Sequence, residues 1–255
     1  MTQTLVSRWA TSPHIGRLFP AGLAVATVLA QVAYPLVTGA SRDRLTVVTV
    51  LLFAGASVTH AVVWRGTSWA LRFVGITAGG GLLAEAVGVR TGVPFGAYAY
   101  TGTLGWQLLG VPAVIPLAWT MMAYPALLVG RQITAQPVWG PVVAGAALAS
   151  WDLFLDPQMV EAGHWVWAPT PTPVVLGVPV TNFVGWLGVS IAMMALLIGR
   201  LPIHEADDRV PYALYLWTYC SSVLAHAVYL DLPGSALLGG VGMGAVVLAW
   251  ALARR

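Results

Sequence analysis

Long apolar runs, separated by single arginines, dominate this sequence of 255 residues. Each run has about 18 to 22 residues, the length that an α-helix needs to cross roughly 30 Å of hydrocarbon. The runs lie at about 18–38, 46–64, 71–89, 111–130, 137–155, 182–200, 211–230 and 235–252. The sequence therefore predicts an all-α, polytopic membrane helical bundle with about eight transmembrane helices. A count of seven stays open because the fifth and the last runs are the least well defined.

Composition agrees with a membrane location. Charged residues make up 8% and hydrophobic residues 58% of the chain, whereas an ordinary soluble domain has roughly 25% charged residues. All twelve basic residues are arginines scattered between the apolar runs, so nucleic acid is not an expected partner. Cys220 is the only cysteine, which argues against an intrachain disulfide or a cysteine-rich metal site. We expect one integral-membrane domain over residues 1–255, in contact with membrane lipid.

The arginines also predict an orientation. With eight spans, nine arginines fall at the termini and in even-numbered connections, and three fall in odd-numbered connections. Because cytoplasmic loops are enriched in positive charge, we expect both termini in the cytoplasm of a bacterial inner or plasma membrane. The run that contains His204, Glu205, Asp207 and Asp208 would then be a cytoplasmic loop with solvated side chains.

Two long connections interrupt the pattern. Residues 90–110 are rich in glycine and aromatic residues but nearly uncharged, so we expect a re-entrant or interfacial segment near 93–108. Residues 156–181 are expected to form an ordered cap, because the four prolines in 169–179 forbid a regular helix. Pro157 is expected to end the fifth helix.

Glycines four residues apart occur at Gly75 and Gly79 and again at Gly240 and Gly244. This spacing lets the backbones of membrane helices approach closely. We expect both pairs to lie at helix contacts.

Few carboxylates lie inside the apolar runs. Each costs about 2.5–3.5 kcal/mol near the centre of a span, so each is a candidate functional residue. Glu85 follows a run of glycines late in the third span. Asp152 and Asp156 are four residues apart on one face of the fifth span, and such a pair without a counter-charge can share one proton. Structural roles stay open as alternatives. In these, Glu85 is hydrogen-bonded to a neighbouring helix and Asp156 caps the end of its own helix.

His226 adds the seventh span to this set. Tyr219, Ser222 and Tyr229 lie seven, four and three residues from it and form a polar stripe on one helix face. Six polar residues fall toward the extracytoplasmic half of the eight-span arrangement: Glu85, Asp152, Asp156, Asn182, His226 and Asp231. We expect these residues to converge, with a structural role for His226 as the alternative. His60, at the other end of the second span, is more typical of a structural histidine.

The motifs of several membrane enzyme classes are missing. Five scattered histidines do not form the histidine motifs of di-iron desaturases, and one DxxxD pair is half of what a magnesium-dependent prenyltransferase needs. We therefore predict no metal and no cofactor. Acid–base chemistry on an apolar substrate remains. Four aromatic residues are candidates to line its pocket and to stabilise a carbocation through their ring faces: Tyr98, Tyr100, Trp119 and Trp186.

Four motifs between about residues 90 and 190 resemble a known family. They are PFGAYAY at 94–100, GVPAVIPLAW at 110–119, WDLFLDP at 151–157 and NFVGW at 182–186. In combination they look like the carotenoid biosynthesis family of membrane hydratases, the carotenoid 1′,2′-hydratases. The resemblance fades over the first 65 residues and the last span.

This resemblance implies a cofactor-independent hydro-lyase. Water would be added across the terminal C1′=C2′ double bond of an acyclic end group, as in lycopene, γ-carotene or a C50 carotenoid. Asp152 or Glu85 is our candidate for the acid that protonates the alkene. Asp156 or His226 is the candidate that orients water.

The same chemistry suggests the substrate contacts. Tyr98 and Trp119 are expected to flank the cation. The other candidate substrate-binding residues are Tyr100, Asn182, Trp186 and Tyr229.

Other classes stay open. A non-catalytic carotenoid or lipid binding or transport protein would use the same apolar cavity. A carotenoid cyclase or a prenyltransferase would also pass through a carbocation. Other enzymes of the carotenoid pathway are candidate partners.

Overall fold

The apolar runs form helices joined by short connections. The computed structural model describes residues 13–254, in which there are eight α-helices. They are α1 (Pro13–Ala33), α2 (Ala40–Arg65), α3 (Thr67–Thr91), α4 (Val114–Ile133), α5 (Trp139–Glu161), α6 (Val180–Arg200), α7 (Arg209–Leu224) and α8 (Pro233–Ala253). A 3₁₀ turn, Tyr34–Leu36, follows α1, and a π-helical turn, Ala225–Tyr229, follows α7. The predicted all-α bundle is confirmed.

Six of these helices are long and apolar enough to cross a membrane by length and composition: α1 with its 3₁₀ turn, α2, α3, α4, α6 and α8. Of the other two, α5 carries three carboxylates and α7 has 16 residues before its π-helical turn. The last apolar run, expected to be poorly defined, has the highest mean hydropathy of the six, at 2.0. The fifth run became α5, which packs between α4, α6 and α8.

Close helix contacts in the core depend on glycines other than the predicted pairs. A Cβ added at Gly130 of α4 would lie 2.5 Å from Ala144 Cα of α5. A Cβ at Gly145 of α5 would lie 2.8 Å from the backbone of Ile191 in α6. Gly130 and Gly145 therefore allow α5 to approach both neighbours at backbone distance.

The two glycine pairs predicted from spacing behave differently. Nothing in residues 13–254 lies within 4 Å of a Cβ built at Gly75 or Gly79, so that prediction is wrong. The buried face of α3 instead carries Thr77, Gly81, Glu85 and Gly88. In α8 the prediction is confirmed, because Cβ atoms at the two glycines would contact Tyr219 and Val223 of α7.

Pro157 does not end the fifth helix, contrary to the sequence prediction. It lacks the N–H that the carbonyl of Leu153 would accept in a regular helix. Ser235 Oγ of α8 donates to that carbonyl instead, at 2.9 Å. Because a neighbouring hydroxyl satisfies the freed carbonyl, α5 continues to Glu161.

Pro125 in α4 is stabilised in the same way and gives a testable case. Its missing N–H frees the carbonyl of Met121, which accepts a 2.8 Å hydrogen bond from Ser57 Oγ of α2. Ser57→Ala would leave this buried carbonyl without a donor, so we expect the free energy of unfolding to fall by about 1–3 kcal/mol. Pro125→Ala restores the backbone N–H, so the double variant should recover most of that loss. Unfolding in detergent measures both effects, and strictly additive losses would contradict this explanation.

The two long connections form a small β cap at one end of the bundle. Strand β1 (Tyr98–Tyr100) pairs antiparallel with β4 (Trp165–Trp167). Two short hairpins flank this pair: β2 (Gln107–Leu108) with β3 (Val111–Pro112), and β5 (Val174–Val175) with β6 (Val178–Pro179). Residues 93–108 thus consist of turns and two short strands, and no helix forms within them.

This cap is packed into the helices by one aromatic side chain. Phe95 is 1% exposed. Its ring packs against Gly88 of α3 and Gly185 of α6, in space that a side chain at either position would fill. A Cβ at Gly185 would lie 2.8 Å from the carbonyl oxygen of Pro94. Glycines on two helices therefore hold the cap close to the bundle.

At the opposite end, the connection between α6 and α7 is held by buried polar contacts. The guanidinium of Arg65 pairs with Asp208 at 2.6 Å, and the two side chains are 0% and 10% exposed. The ring of His60 lies 2.9 Å from both the Tyr124 hydroxyl and the carbonyl oxygen of Asp207. Asp208 is therefore not the solvated side chain that the sequence predicted, because a buried arginine requires a counter-charge.

Candidate active site

A cavity lies beneath the β cap, between the cap-side halves of the helices. It contains about 1250 Å³ of space between atoms, including the part that opens at the surface. Aromatic and aliphatic side chains form most of its wall. Glu85, Asp156 and Asn182 contribute buried polar groups from α3, α5 and α6. The fold thus brings polar residues from three helices to one apolar space.

Glu85 is surrounded by hydrogen-bond donors. Trp119 Nε1 of α4 donates to Oε1 at 3.0 Å. Tyr100 Oη of β1 donates to Oε2 at 2.8 Å, and Tyr98 Oη donates to the same oxygen. A carboxylate can only accept, so three convergent donors suit its ionised form. The predicted residues Glu85, Tyr98, Tyr100 and Trp119 are therefore one hydrogen-bonded group.

The two tyrosines remain donors. Burial, together with the negative charge of Glu85, raises the pKa of Tyr98 and of Tyr100. Neither phenol therefore ionises near neutral pH, and each keeps the proton that it donates to Glu85.

Asp152 and Asp156 lie one turn apart on α5 and are 0% and 3% exposed. The Nδ2 group of Asn182 donates to Oδ2 of Asp152 at 3.0 Å and also to Oδ2 of Asp156. Within the described residues, neither aspartate has a salt bridge and Oδ1 of Asp152 has no hydrogen-bond partner. Two carboxyls that share one donor, without a cation, form an arrangement that can hold one proton, because adjacent negative charges repel.

The two aspartates differ in position. Asp156 and Asn182 line the cavity, whereas Asp152 lies behind them and is not part of the wall. A substrate in the cavity would therefore meet Asp156 and not Asp152. The four-residue spacing predicted that they share a helix face, but it did not tell which of them faces the cavity.

Aromatic rings form much of the wall of the cavity that Glu85 and Asp156 also line. The rings of Trp119 and Trp186 stack with centroids 3.9 Å apart, and Trp151 packs edge-on against Trp186 at 6.2 Å. Pairing of β1 with β4 adds two further aromatic contacts, with centroids 5.0 and 5.6 Å apart: Tyr98 with Trp167 and Tyr100 with Trp165. Electron-rich ring faces of this kind attract a positive charge.

His226 reaches the cavity wall but is engaged on both sides of its ring. Nδ1 lies 2.9 Å from Ser235 Oγ, and Nε2 lies 3.0 Å from the side chain of Gln158. Both ring nitrogens thus have protein partners. This arrangement favours the structural alternative, in which His226 joins α5 to α8.

Tyr229 and Asp231 are not brought to the site. Tyr229 is 54% exposed, and Asp231 is also exposed. The cause is the π-helical turn, in which the amide of Leu230 bonds to the carbonyl of Ala225. Such a turn is wider than an α-helical turn, so a spacing of three residues no longer returns to the face of His226.

Sequence reasoning missed several members of the aromatic wall. Trp165 and Trp167 were not selected, although WVW at 165–167 alternates in the same way as YAY at 98–100. That alternation is typical of a half-buried strand and was the available signal. Trp151 and Gln158, on either side of the acidic pair, gave no comparable signal.

Gly81 is what allows Trp119 to reach Glu85. A Cβ at Gly81 would lie 2.7 Å from Trp119 Cγ, so Gly81→Ala must displace this ring. We expect a loss of about 1–3 kcal/mol in the free energy of unfolding, as for other overpacked cores. Gly79→Ala on the same helix is the matched control, because no described atom lies within 4 Å of its Cβ. Thermal unfolding and tryptophan fluorescence measure the effect, and equal behaviour of the two variants would refute it.

Fold and site together define a helical membrane protein with buried carboxyl groups in an aromatic cavity. The sequence profile of the carotenoid biosynthesis protein family matches residues 45–248, and the chain belongs to this family. This finding confirms the family predicted from the four motifs.

The chain is similar to the bisanhydrobacterioruberin hydratase of Haloarcula japonica. It is 37% identical over 150 residues, which cover 52% of this chain and 50% of that protein. The chain thus aligns with about half the length of that relative. No solved structure matches the chain.

Proposed function

We propose that this protein is a carotenoid hydratase that adds water across the terminal C1′=C2′ double bond of an acyclic end group. One observation carries the proposal: Glu85 and Asp156, which shares the Asn182 amide with Asp152, both line one aromatic cavity. Membership of the carotenoid biosynthesis family and similarity to a hydratase support it. Lycopene, γ-carotene and C50 carotenoids are the candidate substrates.

Protonation of the alkene is the first step. The proton shared by Asp152 and Asp156 is available to the cavity through Asp156, which lines the wall. Asp156 donates it to C2′, the carbon that carries no methyl groups, and the alkene π electrons form the new C–H bond. The positive charge then lies on the tertiary carbon C1′. The lining of the cavity thus favours Asp156 as the acid, in place of Asp152 or Glu85, the two candidates from the sequence.

Water capture is the second step. Glu85, held as a carboxylate acceptor by Tyr98, Tyr100 and Trp119, stabilises the cation electrostatically and accepts a proton from water as its oxygen bonds to C1′. The proton then returns to the aspartate pair. The net change is the addition of one water molecule, and the product is a tertiary alcohol.

The rings have a passive role in both steps. Trp119, Trp186 and Tyr98 line the same cavity as Glu85 and Asp156, and we propose that this aromatic wall stabilises the developing cation. The apolar wall also limits access of further water. Asn182 is a positioning residue, since its amide holds the two aspartates together.

The test is co-expression with lycopene-forming enzymes in a bacterial host, followed by mass analysis of the pigments. We expect a gain of one water per modified end. A pigment of unchanged mass with a new ring would favour a cyclase. Pigment that copurifies with the protein but is never changed would favour the non-catalytic binding function. Either result, repeated with several acyclic substrates, would overturn the proposal.

A further inference from the structure

The cavity extends well beyond the carboxyl groups. Past Asp156 it continues to the side of the bundle, between the α1–α2 corner and α7. Gln31, Thr46, Ser221 and Ser222 are among the residues that line this part. We call the opening that they surround the α1–α7 slit.

Residues that line the cavity differ in exposure. Glu85, Asp156 and Asn182 at the inner end are buried. Ser222 of α7 and Ala225 of the π-helical turn line the same cavity but are half-buried, as is Gln31 of α1. The cavity therefore has an opening between α1 and α7.

The shape of the opening follows from its half-buried residues on α7 and in the segment after it. These extend from Ser221 to Leu230, which corresponds to roughly 14 Å along a helix axis. An opening of this length along the side of a helix is a slit and not a pore at the end of the bundle. A 2.7 Å hydrogen bond from Trp217 Nε1 to Gln31 Oε1 joins the two helices beside this opening.

The outer surface beside the slit is apolar. Leu29 and Val32 of α1 are 64% and 50% exposed. On the other side of the slit, Leu224 at the end of α7 and Val228 in the π-helical turn are 55% and 64% exposed. In a membrane protein such a surface faces lipid chains. The α1–α7 slit thus connects the buried carboxyl groups to the bilayer interior.

We propose that the α1–α7 slit is the lateral entrance for the substrate and the binding site of the polyene chain next to the reacting end. This inference rests on the proposed function. The end group enters from the bilayer and reaches Asp156, while the chain behind it lies in the slit. A carotenoid is about as long as the hydrocarbon core is thick, roughly 30 Å. The cavity therefore holds one end, and two ends react in separate binding events.

A bulky residue in the slit tests the proposal. Ser222 lines the slit, whereas Leu224, two residues further on, faces outward. Ser222→Trp should lower kcat/KM for an acyclic carotenoid by at least about tenfold and should reduce the pigment retained by the purified protein. Leu224→Trp, the matched control, should stay within about twofold of the wild type. Equal rates in the wild type, Ser222→Trp and Leu224→Trp would overturn the proposal that the slit is the substrate entrance.

A reversible version guards against a folding defect in Ser222→Trp. Ser222→Cys in a Cys220→Ala background is folded first and then modified with a bulky methanethiosulfonate. Activity should fall on modification and return on reduction, and the equivalent Leu224→Cys protein should not respond. Unchanged activity after complete modification of Ser222→Cys would refute the proposal that substrate enters through the slit.

Pigment binding separates this inference from the proposed function. If the wild type retains carotenoid but forms no hydrated product, the hydratase proposal fails. Loss of that retained pigment in Ser222→Trp alone would still support the slit. If the wild type hydrates both ends, release of a one-end product before the two-end product is expected. Exclusive formation of the two-end product without release would contradict separate binding events.

Discussion

Replacement of Asp156 by asparagine should lower the rate of carotenoid hydration by about 10²–10⁴-fold, the usual contribution of a general acid. Asparagine keeps the shape of the side chain and can still accept from Asn182, but it cannot donate a proton to the alkene. Substrate binding depends on the aromatic and apolar wall, so pigment retention should remain close to the wild type. The rate is measured by mass analysis of the products of purified protein with an acyclic carotenoid.

Glu161→Gln is the matched control for this variant. Glu161 lies on the same helix, at its exposed end, and is not part of the cavity wall. Its activity should equal that of the wild type. A folded Asp156→Asn protein with full activity would remove Asp156 from the acid role. Loss of pigment binding together with activity would instead indicate that Asp156 acts in substrate binding.

Glu85→Gln should lower the rate by about 10²–10³-fold, which is the effect of removing one preorganised electrostatic group from a transition state. The variant loses the negative charge that faces the cation. It also presents an amide NH₂ to donors that are aimed at a carboxylate, namely Tyr98, Tyr100 and Trp119. The amide NH₂ cannot accept from these donors, so one of their hydrogen bonds is lost. We therefore expect the β cap to be less stable in this variant, in addition to the loss of activity.

Two further variants separate these effects. Tyr100→Phe removes a single 2.8 Å donor and keeps the charge, so its rate should fall less than that of Glu85→Gln. Glu205→Gln, in the exposed connection at the opposite end of the bundle, should be silent. If Glu85→Gln unfolds more easily but retains the wild-type rate once folded, Glu85 is a structural residue and not a catalytic one.

The two acidic positions depend on each other through the β cap. Tyr98 and Tyr100 of β1 donate to Glu85, and their strand pairs with β4, which directly follows α5 and its aspartates. A change in this strand pair would therefore move Glu85's donors relative to Asp156.

Length and hydropathy of the apolar runs were enough to predict the helices. Bilayer thickness sets the length of a span, and no backbone group can remain unpaired in hydrocarbon, so a long apolar run has few alternatives to a helix. The candidate acids followed from the same physics. A carboxyl such as Glu85 or Asp156 is costly in an apolar run, and few were present to choose from.

Run length, hydropathy and the cost of burial could not predict the relative positions of side chains. Four-residue spacing put Asp152 and Asp156 on one face, but only the packing of α6 decided that Asn182 joins them and that Asp156 faces the cavity. A π-helical turn removed Tyr229 from the predicted stripe. Its extra residue per turn leaves no trace in the polar pattern of the sequence.

Local rules also failed where a distant residue compensated for them. Pro157 breaks a helix by itself, and it does not do so here because Ser235, on another helix, donates to the freed carbonyl. The sequence by itself determined that the chain forms membrane helices and that a few acids in them are candidate functional residues, because both depend on the cost of burying polar groups. The tertiary structure alone decided which acid lines the cavity and where the cavity opens, because both depend on contacts between residues far apart in the chain.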